Sequence, residues 1–410
     1  MGESANSIAS NKDHVAVYFC IFILFLTSMG IWVGWNGRSL YIDAFIGIVL
    51  WVLIKKKHIK LNKEKKYVII LLSLFFSYAY LKFANVNVFG IIGGVISYIF
   101  PVTFLVLLNE DDKNKCLEYI VKWFTILMVP AMITYLLCQT VGLPSLGKLL
   151  VSDNPYQPLW YLYKENYFFC TMYALKETTR FNGPFNEPGH LGMMAAFLLF
   201  ADGYNFKKKS TWIILLALLL TLSLSGYVLA FVGYMFTKYY QGKMKLKFII
   251  LFLMAVFVGY LFATFYNGGE NAINERIVSR LEPDEEKGIE GNNRVFGNIH
   301  LYFLTMLNDT KLLLFGYDKE TMDYLLSTGS RGTGMEMYMV SYGLVGVILS
   351  IFFYFVVYLY RNDKRAASLF LTFVILMLLQ RSSWYWFSWV ICYLYGLSSW
   401  AKNTNLKKFN

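Results

Sequence analysis

The sequence predicts an all-α polytopic membrane protein with about twelve transmembrane helices, and three observations support that fold class. Hydrophobic residues make up 57% of the 410-residue chain and charged residues only 16%. The mean hydropathy is positive, at +0.46. Stretches of roughly 15 to 25 residues with few charges recur along the chain, and helices of that length cross a hydrocarbon layer about 30 Å thick. A soluble core cannot absorb this much apolar surface, which excludes soluble enzymes, disordered chains and disulfide scaffolds.

The apolar runs are continuous, as in 213–220 and 348–357, so they predict helices and not the alternating strands of a membrane barrel. The segment 211–237 is short for two spans. A single span there would place the basic segments 238–247 and 361–365 outside, so we interpret it as a hairpin that turns at 223–226. The predicted spans, in order, are 15–33, 40–54, 67–83, 88–108, 117–141, 190–204, 211–224, 225–237, 248–265, 335–360, 366–379 and 385–400.

The distribution of basic residues orients these spans. The net charge is +12, and seven lysines fall in the single segment 55–66. The short loops on the other side contain only Arg38, Lys82 and Arg381. Since basic residues are retained on the cytoplasmic side, both termini are expected in the cytoplasm and 1–410 forms one integral membrane domain. The charge is explained by topology, so no nucleic-acid partner is expected.

Two long segments, 142–189 and 266–334, then lie on the outer face, and we expect function to reside there. The longest cytoplasmic loop, 55–66, is too small for a nucleotide-binding domain. Cytosolic cofactors are therefore not expected.

Motifs of soluble enzymes are missing. Gly142 to Lys148 has the spacing of a phosphate-binding loop, but Leu149 replaces the hydroxyl residue that would bind the metal. No Asp-x-Asp pair is present to hold a metal-bound nucleotide sugar. The histidines are too scattered for a zinc motif, and so no metal is expected; they are His14, His58, His190 and His300.

The first outer loop ends in Arg180-Phe-Asn-Gly-Pro-Phe-Asn-Glu187-Pro188 and runs directly into a predicted span. Proline favours the first turn of a helix, so the span should start near Pro188 with its N–H groups available to an anion. Glu187 and His190, three residues apart, should share a face, and we predict a general base and its partner. Alternatively, Glu187 caps the helix and His190 is structural.

Arginines concentrate in the two long loops. A guanidinium grips phosphate with a planar fork of donors, whereas lysine is a point charge. Arginines on the outer face therefore suggest an anionic ligand such as a lipid diphosphate, although salt bridges to the acidic residues of 275–286 are the alternative. The candidate diphosphate-binding residues are Arg180, Arg276, Arg280 and Arg294.

Glu336 opens the tenth predicted span, where a carboxylate near the hydrocarbon is costly enough to suggest catalysis. A cap or an ion pair is the alternative. His300 lies in an amphipathic run, 295–307, and is interpreted as packing.

Several of these residues occur in an order that resembles the O-antigen polymerase and ligase superfamily of bacterial surface polysaccharide assembly. The resemblance covers roughly residues 115–360. Its motifs are Arg180 to Pro188 before a span, Ser223-Leu-Ser-Gly226 in the hairpin, Gly291 to Arg294 and Gly316-Tyr-Asp in the second loop, and Tyr342-Gly343-Leu-Val-Gly346 in the following span.

The resemblance implies a GT-C-like, metal-independent glycosyltransferase in the bacterial cytoplasmic membrane. Its donor and acceptor would be oligosaccharides linked to undecaprenyl diphosphate, polymerised into O-antigen or capsule polysaccharide at the outer face among membrane lipids. A chain-length-determining co-polymerase is an implied partner.

Two alternatives remain. A ligase would transfer finished glycan to a lipid or protein acceptor, but the ligase branch places a histidine where this chain has Gly332. A flippase or other transporter would need ionisable residues inside its spans, and the spans are nearly uncharged.

Overall fold

The computed structural model describes residues 2–408 except 55–57, 84–87, 152–161, 174–179, 244–245, 272–273, 275–277, 280–282, 285–287, 290–297, 329–333 and 382–385. The protein is mostly helical. Its helices are α1 (Gly2–Ser28), α2 (Arg38–Leu53), α3 (Lys63–Phe83), α4 (Val88–Gly94), α5 (Phe100–Leu107), α6 (Glu110–Thr140), α7 (Pro188–Ala201), α8 (Lys209–Leu220), α9 (Leu224–Tyr240), α10 (Leu246–Phe265), α11 (Ile299–Met306), α12 (Thr310–Phe315), α13 (Lys319–Ser327), α14 (Gly334–Tyr360), α15 (Lys364–Gln380) and α16 (Phe387–Lys408).

Helices coincide with all of the predicted spans. Among the described residues, two helices, Glu110–Thr140 and Met335–Tyr360, are each long and apolar enough to cross a membrane. The span predicted at 88–108 is one helical segment in which a π-turn, Val95–Ile99, joins α4 to α5. Pro101 follows that turn and cannot donate a backbone hydrogen bond, which favours the irregularity before it.

The hairpin predicted within 211–237 is confirmed as two helices, α8 and α9. The turn lies at 221–223 and not at the predicted 223–226, because the second helix already begins at Leu224; Leu222 in the turn has a φ of 46°. Ser223 caps α9, because its Oγ accepts a hydrogen bond from the Gly226 N–H at 3.4 Å. Two helices rather than one therefore occupy this short segment.

Helix α7 is the centre of the bundle, and every residue from Leu191 to Ala201 is buried. The start of α9 packs directly on it: a Cβ placed on Gly226 would lie 3.0 Å from the Gly192 backbone. A Cβ on Gly192 would in turn lie 2.9 Å from Ser223 Cβ. Two glycines thus allow the backbones to touch, which gives the Ser223 to Gly226 motif a packing role.

A second close approach joins the glycine motifs of α12 and α14. Helix α14 is broken at Gly343, where φ is 61°. A Cβ on Gly316 would lie 2.6 Å from Val340 O, and the Tyr317 N–H donates to the same oxygen at 2.8 Å. Tyr78 of α3 donates to Tyr342 O at 2.7 Å. These motifs therefore hold α3, α12 and α14 together.

The bundle has two ends, which we name after the residues that α1 places there. His14 and Ser28 are separated by about 21 Å along the helix at 1.5 Å per residue. At the Ser28 end, the first long loop contains an antiparallel sheet of β1 (Lys148–Leu150), β2 (Tyr163–Asn166) and β3 (Thr171–Tyr173). The second long loop contains the strand pair β4 (Pro283–Asp284) and β5 (Gly288–Ile289).

At the His14 end, a network of ion pairs and hydrogen bonds joins the starts of α3 and α6 and the end of α14 to the middle of α16. Arg361, after α14, contacts Glu110 of α6 at 2.7 Å and Glu64 of α3 at 3.7 Å. Glu110 also accepts hydrogen bonds from Lys113 and from Ser398 of α16. Arginine suits this position because its fork reaches two carboxylates.

Candidate active site

The centre of the candidate site is a guanidinium that joins both residues predicted at the start of α7. Arg381 Nη2 lies 2.5 Å from Glu187 Oε2, and Arg381 Nη1 donates to His190 Nε2. The His190 ring packs edge-on against Trp386, with ring centroids 4.7 Å apart. The prediction that Glu187 and His190 share a face is therefore confirmed, and the residue that they share is Arg381.

Local structure explains how these side chains meet. Glu187 is the N-terminal flanking residue of α7, with Pro188 in the first turn as predicted. Arg381 follows α15 in an extended conformation, so its side chain leaves the helix axis. A Cβ on Gly189 would lie 2.8 Å from Arg381 Nη2. The glycine leaves room for the guanidinium against the first turn.

The charges at this site alter the acidity of Glu187. Burial alone would raise the pKa of its carboxyl, but Arg381, His190 and Lys164 together lower that pKa well below its usual range. A carboxylate held in this way binds a proton poorly at neutral pH. Glu187 is therefore better suited to orienting Arg381 than to abstracting a proton, which departs from the predicted role of general base.

The segment 180–187, which we call the strap, is buried between the end of α8 and the chain that follows α1. Phe181 N–H donates to Leu220 O at 3.0 Å, and Asn186 N–H donates to Gly30 O at 3.1 Å. Phe181 and Phe185 are fully buried. Because the strap is anchored at both ends, it fixes the position of Glu187 beside α7.

Lys164 of β2 supports the strap from beneath. The side chain is fully buried, and Nζ donates to the Asn186 carbonyl oxygen. It also lies over the Tyr173 ring at 4.2 Å from the centroid. Burial lowers the pKa of Lys164 to about 7, against the opposing effect of Glu187. Its charge therefore changes across the neutral range.

A cavity of about 360 Å³ opens beside this cluster. Its wall combines aromatic rings, hydroxyl groups, a carboxylate, an amide and an imidazole, a composition typical of a pocket for a polar ligand with flat faces. The lining residues are Thr27, Ser28, Gly30, Trp35, Ser39, Asp43, Tyr98, Asn186, His190, Trp386 and Phe387.

Two of the lining residues have unused hydrogen-bonding capacity toward a ligand. Asp43, on α2, is 7% exposed and accepts a hydrogen bond from Thr27 at 2.6 Å. Within the described part of the chain, no basic side chain forms an ion pair with Asp43. Asn186 Oδ1 is buried with no partner in that same part. Asp43 is thus a carboxylate facing a cavity without a neutralising cation, unlike Glu187.

Arg180, a predicted diphosphate ligand, lies at the turn between α8 and α9. Its Nε donates to Thr221 O at 3.0 Å. The connection between α8 and α9 packs against Gly192, which lies in the second helical turn of α7. Arg381 covers the first helical turn of α7. Part of the Arg180 guanidinium is therefore committed to holding the strap against the hairpin.

The other predicted residues lie outside this cluster. Glu336 accepts a hydrogen bond from His300 Nδ1 at 2.8 Å, which corresponds to the ion-pair alternative, and it is not among the residues that line the cavity. The remaining predicted diphosphate ligands lie outside the described residues; they are Arg276, Arg280 and Arg294.

Sequence reasoning missed Arg381 and Asp43 as site residues. Arg381 was counted only as a loop charge that helps to set the topology. One signal was available: Arg381 is one of only two arginines in the short outer loops, where lysine and arginine are otherwise depleted. Asp43 carried a similar signal, since it lies inside an apolar run.

The chain matches no known protein family, no curated protein and no solved structure.

Proposed function

We propose that this protein is a glycosyltransferase that polymerises lipid-diphosphate-linked oligosaccharide repeat units at the outer face of the bacterial cytoplasmic membrane. In this proposal the helices that coincide with the predicted spans cross the membrane in twelve passes, both termini are cytoplasmic, and the Ser28 end faces outward. The two long apolar helices, α6 and α14, support a membrane location. The polysaccharide class rests on the resemblance in motif order.

The observation that carries the proposal is the cavity beside the Arg381 cluster. Aromatic rings such as Trp35 and Trp386 can stack on the flat faces of sugar rings, while hydroxyl, amide and carboxylate groups can bind sugar hydroxyls. A guanidinium at the border of the same cavity suits the diphosphate that leaves during transfer. The two chemistries required for this reaction are therefore adjacent.

In the proposed reaction, a hydroxyl of the incoming repeat unit attacks the anomeric carbon of the growing chain. The new glycosidic C–O bond forms as the bond between the anomeric carbon and the diphosphate oxygen breaks. The hydroxyl proton passes to the Asp43 carboxylate, and the electron pair leaves with undecaprenyl diphosphate. Arg381 stabilises the negative charge that develops on this leaving group, while Glu187 and His190 fix its orientation.

The test is a reconstituted reaction with purified full-length protein and synthetic undecaprenyl-diphosphate-linked repeat units. A glycan ladder formed without nucleotide supports the proposal. Arg381→Lys and Asp43→Asn should abolish most of the ladder, whereas Arg38→Lys, an exposed arginine at the same end, should leave it intact. Folded protein that gives no ladder with any lipid-linked repeat unit would contradict the proposal.

Asp43 also favours a second candidate, a flippase for the same lipid-linked sugars. A buried carboxylate on a helix that lines a cavity is a feature of transporters. Proteoliposomes separate the candidates: a flippase moves a labelled lipid-linked repeat unit between leaflets and leaves its length unchanged.

A further inference from the structure

The His14 end of the bundle contains a second cluster of titratable groups, which the proposed reaction does not use. His14 comes from α1, His58 from the loop before α3, and Asp112 from the first turn of α6. His14 Nδ1 lies 3.0 Å from Asp112 Oδ1, and His58 Nδ1 lies 3.0 Å from Asp112 Oδ2. Histidines too scattered in sequence to predict a metal site thus meet in space around one carboxylate.

From this geometry we propose that His14, His58 and Asp112 bind a divalent transition-metal ion of the zinc type. Imidazole nitrogen and carboxylate oxygen are ligands that zinc prefers. The three candidate ligand atoms lie within 4.8 Å of one another. Tetrahedral zinc with bonds of about 2.0 to 2.2 Å needs ligand atoms about 3.3 Å apart. The two 3.0 Å separations involve different oxygens of Asp112, so zinc binding would draw the three ligand atoms together from within 4.8 Å of one another, closing the widest separation by up to about 1.5 Å.

The surrounding residues orient the carboxylate in the manner of a metal site. Tyr18 OH donates to Asp112 Oδ1 at 2.7 Å. Asn109 Nδ2 donates to Asp112 Oδ2 at 2.8 Å, and its Oδ1 accepts from the Asp112 N–H at 2.8 Å. Outer hydrogen bonds of this kind fix the direction in which ligand atoms point.

The loop that contains His58 is hydrogen-bonded to the start of α6, where Asp112 lies. The Asn109 N–H donates to His58 O at 2.9 Å. Lys65 Nζ donates to Leu107 O and Leu108 O, each at 2.9 Å, on the segment that precedes Asn109. His58 and Asp112 are therefore held in place before any ion arrives, which reduces the conformational entropy lost on binding.

Charge supports the proposal independently of distance. The Asp112 side chain is 4% exposed and the His58 side chain 1%. In the described part of the chain, no lysine or arginine pairs with Asp112; its partners are two imidazoles, a phenol and an amide. A buried carboxylate without a lysine or arginine partner is costly, and a divalent cation would neutralise it. The His14 side chain is 24% exposed and gives an ion access.

Such an ion would link three segments that lie far apart in sequence. It would fasten the first helix and the loop before α3 to the start of α6. The site is about 21 Å along α1 from the cavity, so it would stabilise the bundle without contacting substrate. We therefore expect a structural metal.

The test uses full-length protein in detergent, stripped with a chelator and titrated with zinc sulfate. One zinc ion should bind per chain. A free zinc concentration of about 100 times Kd should raise the melting temperature by about 3 °C. Cobalt should bind in place of zinc and give a visible absorption band.

His14→Gln is the main variant, because His14 is partly exposed and the protein should still fold. We expect zinc affinity to fall by a factor of 10 or more and the cobalt band to disappear. His300→Gln is the matched control, since His300 also lies 2.8 Å from a carboxylate but has no second imidazole. Sub-stoichiometric zinc in the unaltered protein, His14→Gln binding unchanged, or an equal loss in His300→Gln would each overturn the site.

Discussion

The two ends of the bundle use the same residue types for different purposes. At the Ser28 end, Glu187 and His190 share the guanidinium of Arg381 and lie beside a cavity. At the His14 end, Asp112 receives hydrogen bonds from two histidines, a tyrosine and an asparagine in a closed setting.

The difference is the source of positive charge. Arg381 is part of the chain and remains charged at any physiological pH, so the Ser28 end presents a cation to a ligand. At the His14 end, Arg361 and Lys113 pair with Glu110, but Asp112 has no lysine or arginine partner in the described part of the chain, so its cluster can receive a cation. A carboxylate and imidazole beside a guanidinium therefore predict an anion site, and a carboxylate with two imidazoles predicts a cation site.

The largest effect on turnover is expected from Arg381→Ala, which removes the cation from the Ser28 end. The initial rate of ladder formation should fall by about 1000-fold, because charge stabilisation of the leaving group is lost together with the partner of Glu187 and His190. Arg381→Lys should restore little of this rate, since an ammonium group cannot bridge Glu187 and His190.

Arg361→Lys is the matched control at the opposite end. Arg361 also bridges two acidic residues, Glu110 and Glu64, but lies away from the cavity. We expect a lower melting temperature and an unchanged rate per folded molecule. Equal losses of rate in Arg381→Lys and Arg361→Lys would contradict the assignment of turnover to the Ser28 end alone.

Asp43→Asn should have the next largest effect, about 100-fold on turnover, because the carboxamide cannot accept the proton. The amide oxygen can still accept the hydrogen bond from Thr27, so folding should be retained. Asp112→Asn is the corresponding variant at the His14 end. It should weaken zinc binding and leave turnover per folded molecule unchanged. A fully active Asp43→Asn variant would remove Asp43 as the base.

Glu187→Gln should reduce turnover by about 10-fold through misorientation of Arg381. Because the folded-state pKa of Glu187 is lowered, its carboxylate stabilises the protein above the unfolded pKa near 4.5, and that stability is lost as pH falls below this value. The melting temperature of the unaltered protein should therefore fall more steeply below about pH 5 than that of Glu187→Gln. The same dependence of melting temperature on pH in both proteins would indicate that the ion pair between Glu187 and Arg381 contributes nothing to stability.

Lys164→Met should have the smallest effect on turnover, within about 3-fold, because Lys164 is buried beneath the strap and does not contact substrate. Its effect should appear in the dependence of stability on pH. The folded-state pKa is about 7 and the ordinary value is 10.5, so the unfolded chain binds more protons between these values.

It follows that the melting temperature of the unaltered protein should rise from pH 7 to pH 10 relative to Lys164→Met. Melting curves of both proteins at matched ionic strength provide the measurement. If the two melting temperatures differ by the same amount from pH 7 to pH 10, Lys164 titrates at its ordinary pKa in the folded protein.

The positions of the helices could be read from the sequence, because continuous apolar runs mark them. The ends agree closely for α7, 188–201 against the predicted 190–204, but α1 begins at Gly2, 13 residues before its predicted span. The sequence also predicts that Glu187 and His190 lie close together, and they do so although Glu187 flanks α7 in an extended conformation, because both side chains bind Arg381.

Only the tertiary structure decided which distant side chains complete each cluster. Arg381 is 194 residues from Glu187, and Asp112 is 98 residues from His14. Helix formation depends on periodicity within a short window, so the sequence shows it directly. Contacts between helices depend on which faces pack and on the glycines that permit close approach, as at Gly192 and Gly226. No local pattern specifies those partners, and they determine whether a carboxylate meets a guanidinium or two imidazoles.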